Sequence, residues 1–482
     1  MPEAPGAPRY VGPVAAPDPR DHGLLTPAET SLLTDQYELA MAASYLRREM
    51  NETAVFELFV RHLPPHRRWL LTAGLGPALA LVEQMRFGSE ELGYLRSLGF
   101  AEPFLDYLEA FRFAGDIDAI PEGTVVFENE PLVRVTAPRI EAQLLETLLL
   151  NQINFQTAIA TKAARIVLAI GGGRPDRDGR LIDFSPRRDH GVDAAMKAAR
   201  SAALAGAGGT SNVAAAKRYG LPPVGTMAHS YVMSFEHEED AFRAFMEDNP
   251  DNAVMLVDTY DTIAGVRHAI AAAHATGVHL KSVRIDSGDL DSLSRAARGL
   301  LDDAGMKGAR IVVSGDLEER QIERLVAAGA PIDLWGVGTD LGTSRDSPAV
   351  GGVYKLVADM PAAGRWRSAY KRSPAKATMP GPKQVFRRTE QGRMSGDVIA
   401  LVDETLAGQP LLVPAMRGGE VVGAEPLERI RERAAAELES LPPYLRELGP
   451  GEGRDPYPVR CSDRLETLTA RAVAGEDIEA PA

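Results

Sequence analysis

The sequence predicts an α/β protein in which an irregular β/α barrel-like domain stands beside an α/β N-terminal domain, with the C-terminal segment returning to the latter. Two observations carry this. Four apolar runs of strand length end at Asp258, Asp286, Asp316 and Thr339, positions 28, 30 and 23 residues apart, and amphipathic segments connect them. That spacing holds a strand, a crossover helix and two loops, so the strands are expected to be parallel with helices outside. The pattern is also confined to the middle of the chain: it begins near residue 181 and decays after Leu356.

The elements follow in order. Residues 1–28 are rich in Pro, Ala and Gly and lack an apolar signal core, which marks a flexible leader. Residues 29–150 form the N-terminal α/β domain. There TDQYELAMAASYLRR has helical spacing, with Thr34 or Asp35 placed to cap it, and AVFELFV at 54–60 is a strand. Val125–Phe127 and Leu132–Val135 are further strand runs between Pro and Gly turns. An Ala- and Leu-rich helical stretch at 139–170, whose composition implies burial, leads into the barrel domain at 151–357. In the final segment, 358–482, a basic loop enters a strand, and 427–441 is a charged helix; this segment is expected to pack on the N-terminal domain.

With 482 residues, 45% of them apolar, the chain can bury more than one core. Its net charge of −14 argues against nucleic acid or an anionic membrane as the main partner, because both reward clustered Lys and Arg. Cys461 is the sole cysteine, which rules out intramolecular disulfides and multi-cysteine metal sites and points to the cytoplasm. No apolar run is long enough to span a membrane.

The chemistry gathers at the strand ends: Asp258, then Asp286 with Ser287 and Asp289, then Ser314 and Asp316, then Gly336, Gly338 and Thr339. In a β/α barrel that rim carries the active site. One such Asp is an ordinary turn former, but four consecutive strand ends point to a shared site. Arg284 and Asp286 are two apart on a strand and so share a face, as an internal ion pair or as a cation and carboxylate for a hydroxyl-bearing anion. GVGTDLGT at 336–343 offers backbone N–H groups suited to a phosphate. In DFSPRRDHG, Phe184 is a flat surface, and Arg187 and Arg188 are forks for carboxylate or phosphate. His229 sits among small and hydroxyl residues in GTMAHSYVMSF, and its spacing alone assigns it no role.

LLTDQYELAM, FELFVRHLP, DFSPRRDHG, GTSNV, GTMAHSYVMSF, VRIDSGDL, IVVSGD and GVGT with GGVYKLV occur in one order over residues 30–357. In this the chain resembles the nicotinate phosphoribosyltransferase family, and through it the type II phosphoribosyltransferases. The resemblance implies transfer of phosphoribosyl from phosphoribosyl pyrophosphate to nicotinate in NAD synthesis, with ATP as co-substrate and Mg²⁺ as cofactor. It makes His229 the histidine that ATP phosphorylates, and Asp286 and Asp316 the carboxylates for ribose hydroxyls and Mg²⁺–pyrophosphate. Tyr37, from a second copy in a homodimer with a shared site, and Phe184 sandwich the pyridine ring. Arg187, Thr226 and Arg284 bind the nicotinate carboxylate or nearby phosphates. Gly336, Gly338 and Thr339 cradle the 5′-phosphate, Gly315 belongs to the same substrate rim, and Lys355 is a weaker candidate there. The related nicotinamide enzymes carry Asp where GTSNV has Ser211, and Ser donates to a carboxylate that Asp would repel.

Four other readings compete. A nicotinamide enzyme conflicts with Ser211, and a quinolinate enzyme would be shorter and lack the AHS histidine. A non-catalytic phosphate-binding sensor would not need the full set His229, Arg284, Asp286 and Asp316. A Schiff-base aldolase needs an inward lysine at a strand end, where Lys281 is poorly placed.

Overall fold

Thr53–Val60 is the spine of the first sheet. Strands Gly352–Asp359 and Pro131–Pro138 pair antiparallel along its two edges, and it is buried along nearly its whole length. That is why TAVFELFV reads as an almost unbroken apolar run. Its one acid, Glu57, is neutralised by buried Lys383, whose Nζ lies 2.8 Å from Glu57 Oε2. The computed structural model describes residues 24–176, 178–360, 366–371, 378–448 and 456–476. Residues 1–23 of the expected leader lie outside that range.

The first sheet has seven strands, in the order 367–368, 352–359, 53–60, 131–138, 116–119, 413–417 and 420–421. Gly352–Asp359 follows the last barrel strand in sequence, yet it belongs here. The C-terminal segment contributes Val413–Arg417 to this sheet, and Leu465, Leu468 and Ala472 of its last helix to the same core. Its helix Leu427–Ser440 instead buries Ile430, Ala434 and Leu438 in the barrel core. The segment therefore fastens both halves.

The second sheet has six parallel strands: 209–210, 181–183, 334–337, 310–313, 282–285 and 254–256 in spatial order. A bridge from Thr210 to Pro223 extends one edge, and Asn252 Nδ2 donates to the Gly225 carbonyl at 3.1 Å. The result is a curved, irregular half-barrel. Crossover helices Thr262–Thr276, Leu290–Asp303 and Glu319–Ala327 begin at Asp261, Asp289 and Glu318, whose side chains accept first-turn N–H groups. Asp35 also stands at a helix start, but it does not cap: its carboxylate accepts from Thr147 Oγ1 at 2.9 Å, and Thr34 donates to Glu38.

Helix Glu146–Ile170 joins the two cores. Leu148, Leu149 and Ile153 pack in the N-terminal core, and Ala160 through Ile170 line the barrel. Small Ala and Thr side chains let neighbours approach it on all sides.

Candidate active site

The strands deliver their C-terminal ends to one mouth, as the marker positions predict. Arg284, half-buried, donates from Nη2 to Asp286 Oδ1 at 2.6 Å and from Nε to Ser314 Oγ at 2.8 Å. The Ser314 hydroxyl in turn donates to the same Asp286 oxygen. Burial pushes the Asp286 carboxyl up, but the Ser314 hydroxyl, Arg284 and nearby His229 outweigh it and hold it below the ordinary aspartate range. Asp286 is therefore an anion at neutral pH. Asp258 Oδ2 braces the turn, accepting from the Asp286 N–H at 2.9 Å and the Ser287 hydroxyl at 2.7 Å. Its Oδ1 is buried with no hydrogen-bond partner among the described residues.

Phe184 lies against this pair, its ring centre 5.3 Å from the Arg284 guanidinium carbon. Only glycine permits that: a Cβ on Gly336 would stand 2.5 Å from the ring. Gly338 runs past the Phe184 carbonyl and leads into Thr339, first residue of the short helix Thr339–Gly342. Gly315 has φ +90°, and a side chain there would collide with the Asp286 carbonyl. Asp316 follows with φ +43°, a left-handed conformation that costs energy for a residue bearing a Cβ.

His229 opens the short helix His229–Met233, its Nδ1 lying 3.1 Å from Thr259 Oγ1. Thr226, three residues earlier, donates to the Met227 carbonyl. Ser211 follows Thr210, whose hydroxyl donates to buried Asp183 at 2.7 Å. The Ser211 hydroxyl itself is buried with no partner among the described residues. Arg187 and Arg188 are exposed.

Tyr37 is not brought to this mouth within one chain. It is 48% exposed on the N-terminal helix, and burial and Glu146 raise its hydroxyl above the ordinary tyrosine range. Lys355 lies there too, 3.5 Å from Glu146, and not beside Gly338. The sequence places Asp258 on the strand-end rim without a role of its own, and it does not point to Thr259 as the partner of His229. A lone threonine after a strand carries no periodic signal.

The six-stranded parallel half-barrel thus gathers an arginine, carboxylates, glycine turns and a flat ring at its strand ends, where α/β-barrel enzymes build their sites. Two family models match the chain: the nicotinate phosphoribosyltransferase N-terminal domain over residues 32–154, and the nicotinate phosphoribosyltransferase family over residues 180–383. The chain is 47% identical over 455 residues to a nicotinate phosphoribosyltransferase of Mycobacterium tuberculosis, covering 93% of this chain and 95% of the relative. It is 45% identical to the Bacillus subtilis nicotinate phosphoribosyltransferase, covering 79% and 78%. The crystal structure of human nicotinic acid phosphoribosyltransferase matches at TM-score 0.77 and 27% identity, over 91% of this chain and 99% of that one. The chain belongs to the nicotinate phosphoribosyltransferase family.

Proposed function

We propose that the barrel mouth joins nicotinate to phosphoribosyl pyrophosphate, and that ATP drives the reaction through a phosphohistidine at His229. The observation that carries this reading is the Phe184–Arg284–Asp286–Ser314 arrangement: a flat ring 5.3 Å from a cation that is itself hydrogen-bonded to a fixed anion. Phe184 stacks on the pyridine ring, and Arg284 and Arg187 face its carboxylate. Asp286 and Asp316 hold the ribose hydroxyls, while Gly315, Gly336, Gly338 and Thr339 line the 5′-phosphate.

The pyridine lone pair forms the bond to the anomeric carbon, and the pyrophosphate oxygen leaves with its electron pair. No proton moves, so the site needs no general base. It must place two anions together and stabilise positive charge on the ribose, which Asp286, ionised at neutral pH, is suited to do. Mg²⁺ would screen the departing pyrophosphate. Among the described residues no group of three or more His, Cys, Asp or Glu side chains is gathered to hold a metal. An ion bound mostly by substrate phosphates would take one or two oxygens from Asp258, Asp286 or Asp316. Asp258 Oδ1, buried and without a hydrogen-bond partner among the described residues, is an acceptor suited to this purpose.

His229 takes the γ-phosphoryl group of ATP on a ring nitrogen, releasing ADP, and water later removes it as phosphate. Thr259 fixes the ring orientation. Ser211, its hydroxyl without a partner among the described residues, can donate to the nicotinate carboxylate and so favours the acid over the amide. The outlying position of Tyr37 fits a homodimer in which each chain lends this ring to its partner's mouth, and the setting is cytoplasmic.

The test is an assay of purified enzyme with phosphoribosyl pyrophosphate, Mg²⁺ and either base, with and without ATP. Nicotinate mononucleotide is the expected product, stimulated by ATP in the wild type and not in His229→Ala. Turnover of nicotinamide alone would overturn the Ser211 argument. Folded protein that turns over neither base would overturn the reading as a whole.

A further inference from the structure

Lys162 is a lysine inside a core. Its side chain is 1% exposed on the long helix Glu146–Ile170, and it is surrounded by three carboxylates: Glu319, Asp340 and Asp346. A lone buried ammonium is costly, so several partners are expected. What matters is where they come from. Glu319 lies three residues after Asp316, and Asp340 directly follows Thr339. Asp346 lies in the turn after the short helix Thr339–Gly342 and accepts two hydrogen bonds from Arg67, at 2.7 and 2.9 Å. Arg165, one turn along from Lys162, donates to Glu319 at 3.0 Å. Two cations of one rigid helix, with Arg67 from the N-terminal domain, are thus tied through three acids to two of the segments that form the mouth.

Backbone strain gathers at the same place. Six described residues other than glycine have positive φ, and three of them surround this hub: His66, Asp316 and Ser344. His66 immediately precedes Arg67, and Ser344 accepts from Arg67 at 3.2 Å. Such conformations persist only where the surroundings over-determine them, and they concentrate at functional sites. The hub also forms the floor of a cavity of about 390 Å³, whose walls include Asp316, Arg320 and Arg345.

We propose that Lys162 is a positioning residue for the phosphoribosyl pyrophosphate half of the site, holding the 314–319 and 338–346 loops in register through Glu319 and Asp340. This rests on the function proposed above. Lys162 itself touches no substrate, since its ammonium is consumed by three acids. The base half of the mouth is built from Phe184, Arg284 and Ser211, none of which pairs with Lys162 or its acids; it meets the hub's segments through the Arg284–Ser314 hydrogen bond and the approach of Gly338 to Phe184.

Lys162→Met, Lys162→Arg and Asp340→Asn test this. Each would be compared with wild type for KM toward each substrate, for kcat, and for amide hydrogen exchange without substrate. For Lys162→Met and Asp340→Asn, the KM for phosphoribosyl pyrophosphate is expected to rise about tenfold or more, while that for nicotinate changes less than threefold. Exchange should quicken at 338–346 in both, and at 314–319 in the lysine variant. Lys162→Arg, which keeps the charge, should recover part of the loss. A folded variant with both KM values unchanged, or with both raised equally, would overturn the proposal. Should Lys162→Met fail to fold, Asp340→Asn decides alone, because it removes one leg and leaves the ammonium paired. A wild type inactive with either base would defeat the functional reading instead. In that case the exchange measurement still judges the hub: loops as protected in Asp340→Asn as in wild type would refute it.

Discussion

Two regions of this molecule bury charge, and they do so for different ends. On a four-stranded sheet of the C-terminal segment, in the order 409–410, 383–390, 393–401 and 459–461, Arg387 is paired with Asp397 at 2.7 Å and Glu437 at 2.8 Å, with side-chain exposures of 2%, 0% and 21%. Tyr457 donates to the same Asp397 at 3.0 Å and stacks on Phe127. Neighbouring acids raise the Arg387 guanidinium further above its ordinary range despite the opposing effect of burial. Arg387, Asp397, Glu437 and Tyr457 leave no buried side-chain polar atom unpartnered among the described residues, although neighbouring Glu130 keeps one such oxygen, and together they fasten the tail to the body. At the barrel mouth the charges are half-open, and Asp258 Oδ1, Ser211 Oγ and Asp189 Oδ1 are buried without partners among the described residues. A closed network contributes stability, whereas an open one keeps hydrogen-bonding capacity for something that arrives later.

The largest expected effect comes from breaking the closed cluster. Arg387→Met leaves Asp397 and Glu437 buried without their cation, at a cost of about 3–5 kcal/mol. A fall in Tm and denaturant midpoint would show it, with KM values of the surviving folded enzyme near wild type. Equal stability in Arg387→Met and wild type would erase the contrast between the regions. At the mouth the order reverses. Arg284→Met should reduce kcat/KM roughly 100- to 1000-fold while Tm moves far less than in Arg387→Met, because Arg284 is partly solvated. Next in size is Gly336→Ala. Its new methyl meets the Phe184 ring at 2.5 Å and must displace it, so the KM for nicotinate should rise more than that for phosphoribosyl pyrophosphate. An equal rise in both would mean that the ring does not bear on the base.

Much of the barrel was legible because each strand is a local apolar run ending in a polar residue, and each crossover helix carries its own cap. Arg284 and Asp286 were legible as a pair through the strand period alone. Lys162 was not. It sits in a stretch that reads simply as buried helix, and its hydrogen-bonded acids Glu319 and Asp346 lie 157 and 184 residues away. No periodicity reports such a meeting. The same holds for Gly352–Asp359, which follows the last barrel strand yet pairs with Thr53–Val60. Non-local antiparallel register leaves no trace in either strand by itself. The cap at Asp35 failed for a related reason: a distant Thr147 offered its carboxylate a better partner than the helix did.

The smallest predicted effect is the one that separates the two regions by sign. Asp189, near the mouth, is raised by burial and by neighbouring Asp183 to about 6. It accepts from Ser185 at 3.0 Å, but its other oxygen has no partner among the described residues. An acid whose folded pKa exceeds its unfolded value near 3.8 holds its proton more tightly in the native state. Its contribution to stability is therefore fully present below about pH 4, fades as pH rises from 4 to 6, and is gone above 6. Asp189→Asn removes this dependence. The variant should be more stable than wild type at pH 7.5, by about 1 kcal/mol after allowance for the partial exposure of the group, and should lose that advantage at pH 4. Thermal melts of both proteins across this range measure the difference directly. Removing a charge would then stabilise the mouth, where removing Arg387 unfastens the tail. A gain that persisted unchanged at pH 4 would place its origin in packing against Gly342, where Asp189 crowds the backbone, and not in ionisation.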